Sequence, residues 1–170
     1  MKQSRANRIS FKMMSFVHET VYGLFRDPYK ALNAAGLQPG QKVLEVGCGP
    51  GFFTLPAARI VGEAGSVLAL DVNPLAVEHV RQKIAAAGMT NAKTMLANAA
   101  RTGLPGQSFD LIFPFGLARP IGDMDKMWIE LHRLLKPEGT LSIEGQLRPP
   151  LELFHSVKRQ GRISQFRKVG

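Results

Sequence analysis

The chain has 170 residues, 45% of them hydrophobic and 21% charged, which suits a single globular domain with a substantial core. It holds no apolar run long enough to cross a bilayer and no apolar signal segment behind its basic start, so a cytoplasmic protein is expected, and one cysteine, Cys48, excludes an internal disulfide and a multi-cysteine metal site. The net charge of +9 sits at the ends: residues 1–12 contribute +4, residues 146–170 contribute +5, and the stretch between them balances acids against bases. Such ends leave open solvated tails or contact with an anionic substrate, a nucleic acid or a membrane surface.

In chain order, "SFVHETVYGLF" reads as an N-terminal helix, apolar through Phe16, Val21, Leu24 and Phe25. Residues 1–36 are expected to form a helical segment covering the site of a domain that runs from 37 to 170. Short apolar runs then alternate with helical periodicity. "KVLEVG", "SVLAL", "TMLA", "DLIFPF" and "TLSIEG" read as strands, and their continuous rather than alternating apolar character implies a parallel sheet covered on both faces. Asn73 as cap, Pro74 at the first helical position and Gly88 as stop delimit a helix over 74–87, with Val77, Val80 and Ile84 inward and His79 toward solvent. "DMDKMWIELHRLL" places Met124, Met127, Trp128, Leu131 and Leu135 on one core face, with His132 structural or solvated. At the C-terminus "LELFHSVKRQ" reads as a helix and "RISQFRKVG" as a strand.

The segment "VLEVGCGPGFF" joins a strand to the helix "FFTLPAARIV". Gly47, Gly49 and Gly51 allow a tight turn and a ligand close to the backbone. A dinucleotide fingerprint would want its third small residue where Phe52 stands, which argues against a packed diphosphate. Glu45, just before the loop, would repel a diphosphate and attract an ammonium. Asp71 ends the next strand 20 residues beyond Gly51 and can accept from both hydroxyls of a ribose. A nucleoside carrying a positive charge is implied. Cys48 is read as a small residue of the turn, because no neighbouring histidine would activate a thiol.

"VLEVGCGPG", "ALDVNP", "NAARTGLPGQSFDLIF" and "LHRLLKPEGTLSI" resemble, in order and spacing, the successive motifs of class I S-adenosylmethionine-dependent methyltransferases, in particular the small-molecule, quinone C-methyltransferase-like group. The resemblance covers roughly residues 40–145. It implies an α/β, Rossmann-like, doubly wound and mostly parallel sheet of order 3-2-1-4-5-7-6. It also implies S-adenosyl-L-methionine as cofactor, S-adenosyl-L-homocysteine as product, a small-molecule methyl acceptor and no metal. Glu45 and the Gly47–Cys48–Gly49–Gly51 loop fall to the methionine end, Asp71 to the ribose, Asn98 and Ala99 to the adenine, and Phe115 to the side of the methionine moiety, with Val72 also at the cofactor.

The sequence departs from that pattern in three places. Asn98 replaces the acid many relatives carry, so its bond to adenine lacks charge assistance. The strand-four end "FPFGLARP" differs from the motif of amine methylation on nucleic acids, so no specific nucleic-acid partner is expected. After strand five the family's helix and hairpin have only one predicted helix and one predicted strand to fill them, so either one strand is missing or the last two are abbreviated. Transfer from a sulfonium requires in-line positioning above all. Candidates to face the acceptor are His18 and Tyr22 on the N-terminal helix and Arg119 after strand four, where an arginine could hold an anionic acceptor. Arg148 and His155 are weaker ones. A cofactor-binding module without activity and a nucleic-acid methyltransferase using the basic ends stay open as alternatives.

Overall fold

The computed structural model describes residues 27–115, 117 and 123–170; His18, Tyr22 and Arg119 lie outside the described residues. Helix α1 (Pro28–Ala35) starts on Asp27, whose carboxylate accepts from the amides of Tyr29 and Lys30, and ends on Gly36 in the left-handed region. Its last carbonyls are satisfied from the sheet. Ser142 Oγ donates to Ala35 O at 2.6 Å and Gln165 Nε2 to Ala34 O at 2.8 Å, which fixes the helix on the strands behind it.

Strands β1 (Lys42–Val46), β2 (Ser66–Asp71), β3 (Ala92–Leu96) and β4 (Phe109–Phe113) pair in parallel, and β4 pairs in parallel with β5 (Leu135–Glu144). A hairpin of β6 (Phe154–Gln160) and β7 (Ile163–Lys168) then joins antiparallel to β5, giving a seven-stranded sheet of order β3-β2-β1-β4-β5-β7-β6. The expected order is met in full. Helices α1, α2 (Thr54–Val61) and α3 (Pro74–Ala86) pack on one face around Val43, Val67, Ala69, Leu111 and Phe113. Helix α4 (Met124–Leu134) packs on the other around Leu44, Leu70, Ile112, Leu141 and Ile143. Consecutive strand residues therefore serve opposite cores, which is why β1, β2 and β4 carry runs of apolar residues, broken by Glu45, Asp71 and Asp110.

Asn73 caps α3 as expected, accepting from the Leu75 amide at 3.0 Å. The fully inward residues of α3 are Ala76, Val80 and Ile84; Val77 and His79 are half-buried, so His79 is less solvated than its position off the stripe suggests. On α4 the buried residues are Met127, Trp128, Leu131 and Leu134, while Leu135 already opens β5.

The end of the chain differs from the sequence reading. The stretch predicted as a helix, "LELFHSVKRQ", contains β6 instead, and both strands of the hairpin are present at seven and six residues, so neither strand is lost. What is short is the connection from β5, which carries no helix across residues 145–153. Pro149 and Pro150 supply no amide donors there. Gly161, at φ +59, closes the β6–β7 turn, and Phe154 packs edge-on against Trp128 with centroids 6.5 Å apart. Only Phe154 of β6 is buried. The other six residues, His155, Lys158 and Arg159 among them, face water along the sheet's outer edge, where charge discourages further strand pairing.

Candidate functional site

The carboxyl ends of β1, β2 and β3 meet at a cleft of about 160 Å3 lined by Val46, Gly47, Gly49, Leu70, Asp71, Val72, Asn98, Ala99, Leu117 and Met127. In doubly wound sheets this is the edge at which ligands bind. Six residues predicted from sequence line it together: Gly47, Gly49, Asp71, Val72, Asn98 and Ala99. Larger hollows of about 460 and 680 Å3 open at the opposite edge, where β1, β2 and β5 begin, and contain none of the glycine loop.

The loop geometry decides what chemistry the cleft accepts. The amides of Gly47 and Cys48 both donate to Leu70 O, at 2.8 and 3.0 Å, and the Gly51 amide turns back to Cys48 O at 2.8 Å. The Gly49 amide donates to Asp71 Oδ2 at 2.9 Å, and Pro50 has no N–H. Every donor from 47 to 51 is thus committed to the protein. A phosphate cradle needs amides aimed outward, so this loop offers none of what a diphosphate requires.

The glycines play separate parts. Gly49, at φ +50, has open space where a side chain would project. Gly51, at φ +84, lies so close to α3 that an added Cβ would come within 2.9 Å of Val80 Cγ2. Its role is helix packing, whereas Gly49 lines the cleft. Lys83 of α3 adds a tie to the loop, donating from Nζ to Pro50 O at 3.2 Å.

Asp71 is held from two sides: beyond the Gly49 amide on Oδ2, Oδ1 accepts from the Asn73 amide at 2.8 Å. A carboxylate has about four acceptor positions, so each oxygen keeps one for a ligand hydroxyl. Glu45 is 2% exposed and accepts from Thr54 Oγ1 at 2.6 Å. Burial pushes its carboxyl up to about 8, against the lowering effect of the Thr54 hydrogen bond; nearby Asp71 raises it further and Lys83 lowers it. Burial, and the nearby Glu45 and Asp71, push the Cys48 thiol far above its ordinary range, so it is inert and belongs to the turn. Asn98 is exposed, lines the cleft, and accepts from the Ala100 amide on Oδ1 at 2.9 Å. Phe115 packs edge-on against Phe53 and tilted against Phe113, with centroids at 5.3 and 5.1 Å, and does not line the cleft.

The family model described as "Methyltransferase domain" matches residues 37–159. The chain belongs to that family. This methyltransferase domain is 32% identical over 142 residues to the ubiquinone/menaquinone biosynthesis C-methyltransferase UbiE of Vibrio cholerae serotype O1, covering 78% of this chain and 55% of the relative. It is 36% identical over 129 residues to the enzyme of the same name from Psychromonas ingrahamii, covering 73% and 51%. The chain spans about half the length of the curated relatives it matches. The crystal structure of a SAM-dependent methyltransferase from Aquifex aeolicus superposes with a TM-score of 0.70 at 25% identity, over 98% of this chain and 97% of that one.

Sequence reasoning missed four cleft walls of the methyltransferase domain: Val46, Leu70, Leu117 and Met127. Val46 and Leu70 are the last inward residues of their strands before the loop and Asp71. Met127, 3% exposed, looks like any member of the α4 core stripe. Elsewhere Arg148 turns back on Gly145 O and Leu147 O, His132 Nε2 lies 2.9 Å from Val169 O, and His155 is exposed on the edge strand.

Proposed function

We propose that this chain is an S-adenosylmethionine-dependent methyltransferase acting on a small-molecule acceptor, an anionic one included, and working in the cytoplasm. The observation that carries the reading is the loop in which every amide from 47 to 51 is turned inward beside two acids, Glu45 and Asp71. That arrangement suits a nucleoside with cationic groups and no phosphate. S-adenosylmethionine fits this description, and when bound it supplies an electrophilic methyl group on a sulfonium. Asp71 holds the ribose hydroxyls, and the Gly49 contact keeps its carboxylate aimed before the ligand arrives. Val72 and Ala99 flank the adenine, Asn98 offers it an acceptor or donor, and Glu45 faces the ammonium end. The N-terminal segment to residue 36, with His18 and Tyr22, and Arg119 after β4, are assigned to the acceptor side. The relatives named for ubiquinone and menaquinone biosynthesis support a quinol or phenol as acceptor class.

The test is transfer of labelled methyl from S-adenosylmethionine to a panel of small phenols and quinols, with RNA oligomers alongside. Label in an organic-extractable product is the expected result. Label in RNA, or RNA binding below micromolar at physiological salt that trimming residues 1–12 abolishes, would replace this reading with a nucleic-acid methyltransferase. Binding without transfer to any acceptor would leave a cofactor-binding module.

A further inference from the structure

In a doubly wound sheet, each crossover between parallel strands usually brings a helix back over one face. The crossovers from β1 to β2 and from β2 to β3 carry α2 and α3, but residues 97–108, from β3 to β4, carry no helix. The sheet face on the α4 side is therefore left open near the amino ends of β1, β2 and β4, and a hollow of about 460 Å3 lies there. Its apolar lining includes Leu68, Leu104 and Phe109, which belong to the core on the α4 side, and exposed Pro105; Leu68 and Leu104 are only half-buried. Two cations border these residues. Lys42 Nζ stands 5.7 Å from the centre of the Phe109 ring, and Lys93 pairs in register with Leu68, so both side chains leave the sheet on the same face. One acid, exposed Glu63, also lines the hollow, which leaves one positive charge in excess. Neutral polar groups there already have partners: Asn91 Nδ2 donates to Ala58 O and Gly62 O, both at 2.8 Å, and Ser108 Oγ donates to Pro105 O at 2.7 Å.

We propose that this hollow is a second ligand site, for a small amphipathic anion: an apolar body resting on Leu68, Leu104 and Phe109, with one anionic group within reach of Lys42 and Lys93. Size favours a small molecule. The volume falls in the range of small-ligand sites, about 300–1,000 Å3, whereas two turns of a helix about 10 Å across would displace about 800 Å3. Covering the half-buried leucines removes apolar surface from water, and the lysines set the preference for an anion over a neutral molecule of the same shape. The hollow shares no lining residue with the cleft at the carboxyl ends of the strands, so the proposal stands or falls separately from the cofactor reading.

Fluorescence titration with anilinonaphthalene sulfonate, an aromatic body with one anionic group, and with uncharged phenylnaphthylamine tests this. The sulfonate should bind saturably, once per chain and more tightly than the uncharged compound, and saturating S-adenosylhomocysteine should not displace it. In the double variant Lys42→Gln/Lys93→Gln, which replaces two exposed side chains, affinity for the sulfonate should fall about tenfold while that for phenylnaphthylamine stays level. Leu104→Glu should abolish sulfonate binding, with circular dichroism as the check on folding; should it not fold, the lysine variant decides alone. Equal affinity for the two compounds, a lysine variant that binds the sulfonate as the parent does, or displacement by S-adenosylhomocysteine overturns the proposal. Self-association in sedimentation that the sulfonate disperses also overturns it, because the hollow then holds a second copy of the chain.

Discussion

Gly51→Ala separates the packing role of the glycine loop from its ligand role. The backbone at φ +84 lies where a residue with a Cβ pays about 1–2 kcal/mol. The new methyl carbon would sit 2.9 Å from Val80 Cγ2 and 3.5 Å from Val80 Cγ1. Val80 is fully buried and stiff about its one side-chain torsion, so relief requires α3 to shift, at an overpacking cost of about 1–3 kcal/mol. Together the variant should lose roughly 2–5 kcal/mol, or about 4–20 °C in Tm for a domain of this size. Val80→Ala removes the clash without touching the backbone angle. In urea unfolding of the two single variants and the double, the steric part should reappear as a coupling of about 1–2 kcal/mol favouring the double. Gly51→Ala as stable as the parent, or a double variant that is simply additive, would refute the packing role assigned to Gly51.

Gly49→Val carries a backbone cost of its own at φ +50 but meets no atom of the fold and occupies the cleft, so S-adenosylhomocysteine binding should fail while stability falls without the packing clash, as read by circular dichroism and urea unfolding. Glu45 binds a proton in the folded empty protein that it loses in the unfolded chain between its ordinary value near 4.5 and about 8, so stability should fall across that window by roughly 1.4 kcal/mol per pH unit. Glu45→Gln should flatten that decline in denaturant midpoints, and a parent protein with level stability over the same range would contradict the burial argument. Glu130 shows the reverse sign. The Arg133 hydrogen bond, with bonds from Thr102, holds its carboxyl down to about 2, so its contribution is complete above 4.5 and is lost as pH falls toward 2. Glu130→Gln should remove that acid-limb loss, measured by urea unfolding at pH 3 and pH 5.

The parallel core was legible because "VLEV", "SVLALD" and "FDLIF" are apolar at every core position but Glu45, and local caps such as Asn73 mark helix starts within a few residues of chain. The cleft residues were legible for a related reason, since strand-end acids and loop glycines are set by backbone needs visible in sequence. The C-terminal hairpin was not. Leu151, Leu153, Phe154 and Val157 imitate a helical stripe, yet Leu151 is 79% exposed and Val157 48%, and only Phe154 finds a core. Its strand conformation depends on Trp128 and on pairing with β7, contacts that no local pattern reveals. The connection over 97–108 likewise has no helix. Asn98, Gly103 and Pro105 interrupt it, and α4 pins it through Glu130 to Thr102 and Arg133 to Leu104 O. Met127 was hidden as a cleft wall because a residue can be buried by the core on one side and border a ligand on the other. The inward turn of the loop amides also lies beyond sequence, because the Leu70 carbonyl that collects two of them belongs to another strand.

The most direct measurement is equilibrium binding of S-adenosylhomocysteine and of NAD to the parent protein and to Asp71→Ala. S-adenosylhomocysteine should bind the parent and raise its stability by about 2.7 kcal/mol at a hundredfold excess over Kd. Loss of Asp71, which holds the Gly49 amide at 2.9 Å and is left with acceptor positions for the ribose, should weaken that binding by about 1.5–3 kcal/mol. NAD should give no shift. Binding of NAD in place of S-adenosylhomocysteine, or an Asp71→Ala variant with unchanged affinity, would contradict the assignment of this cleft.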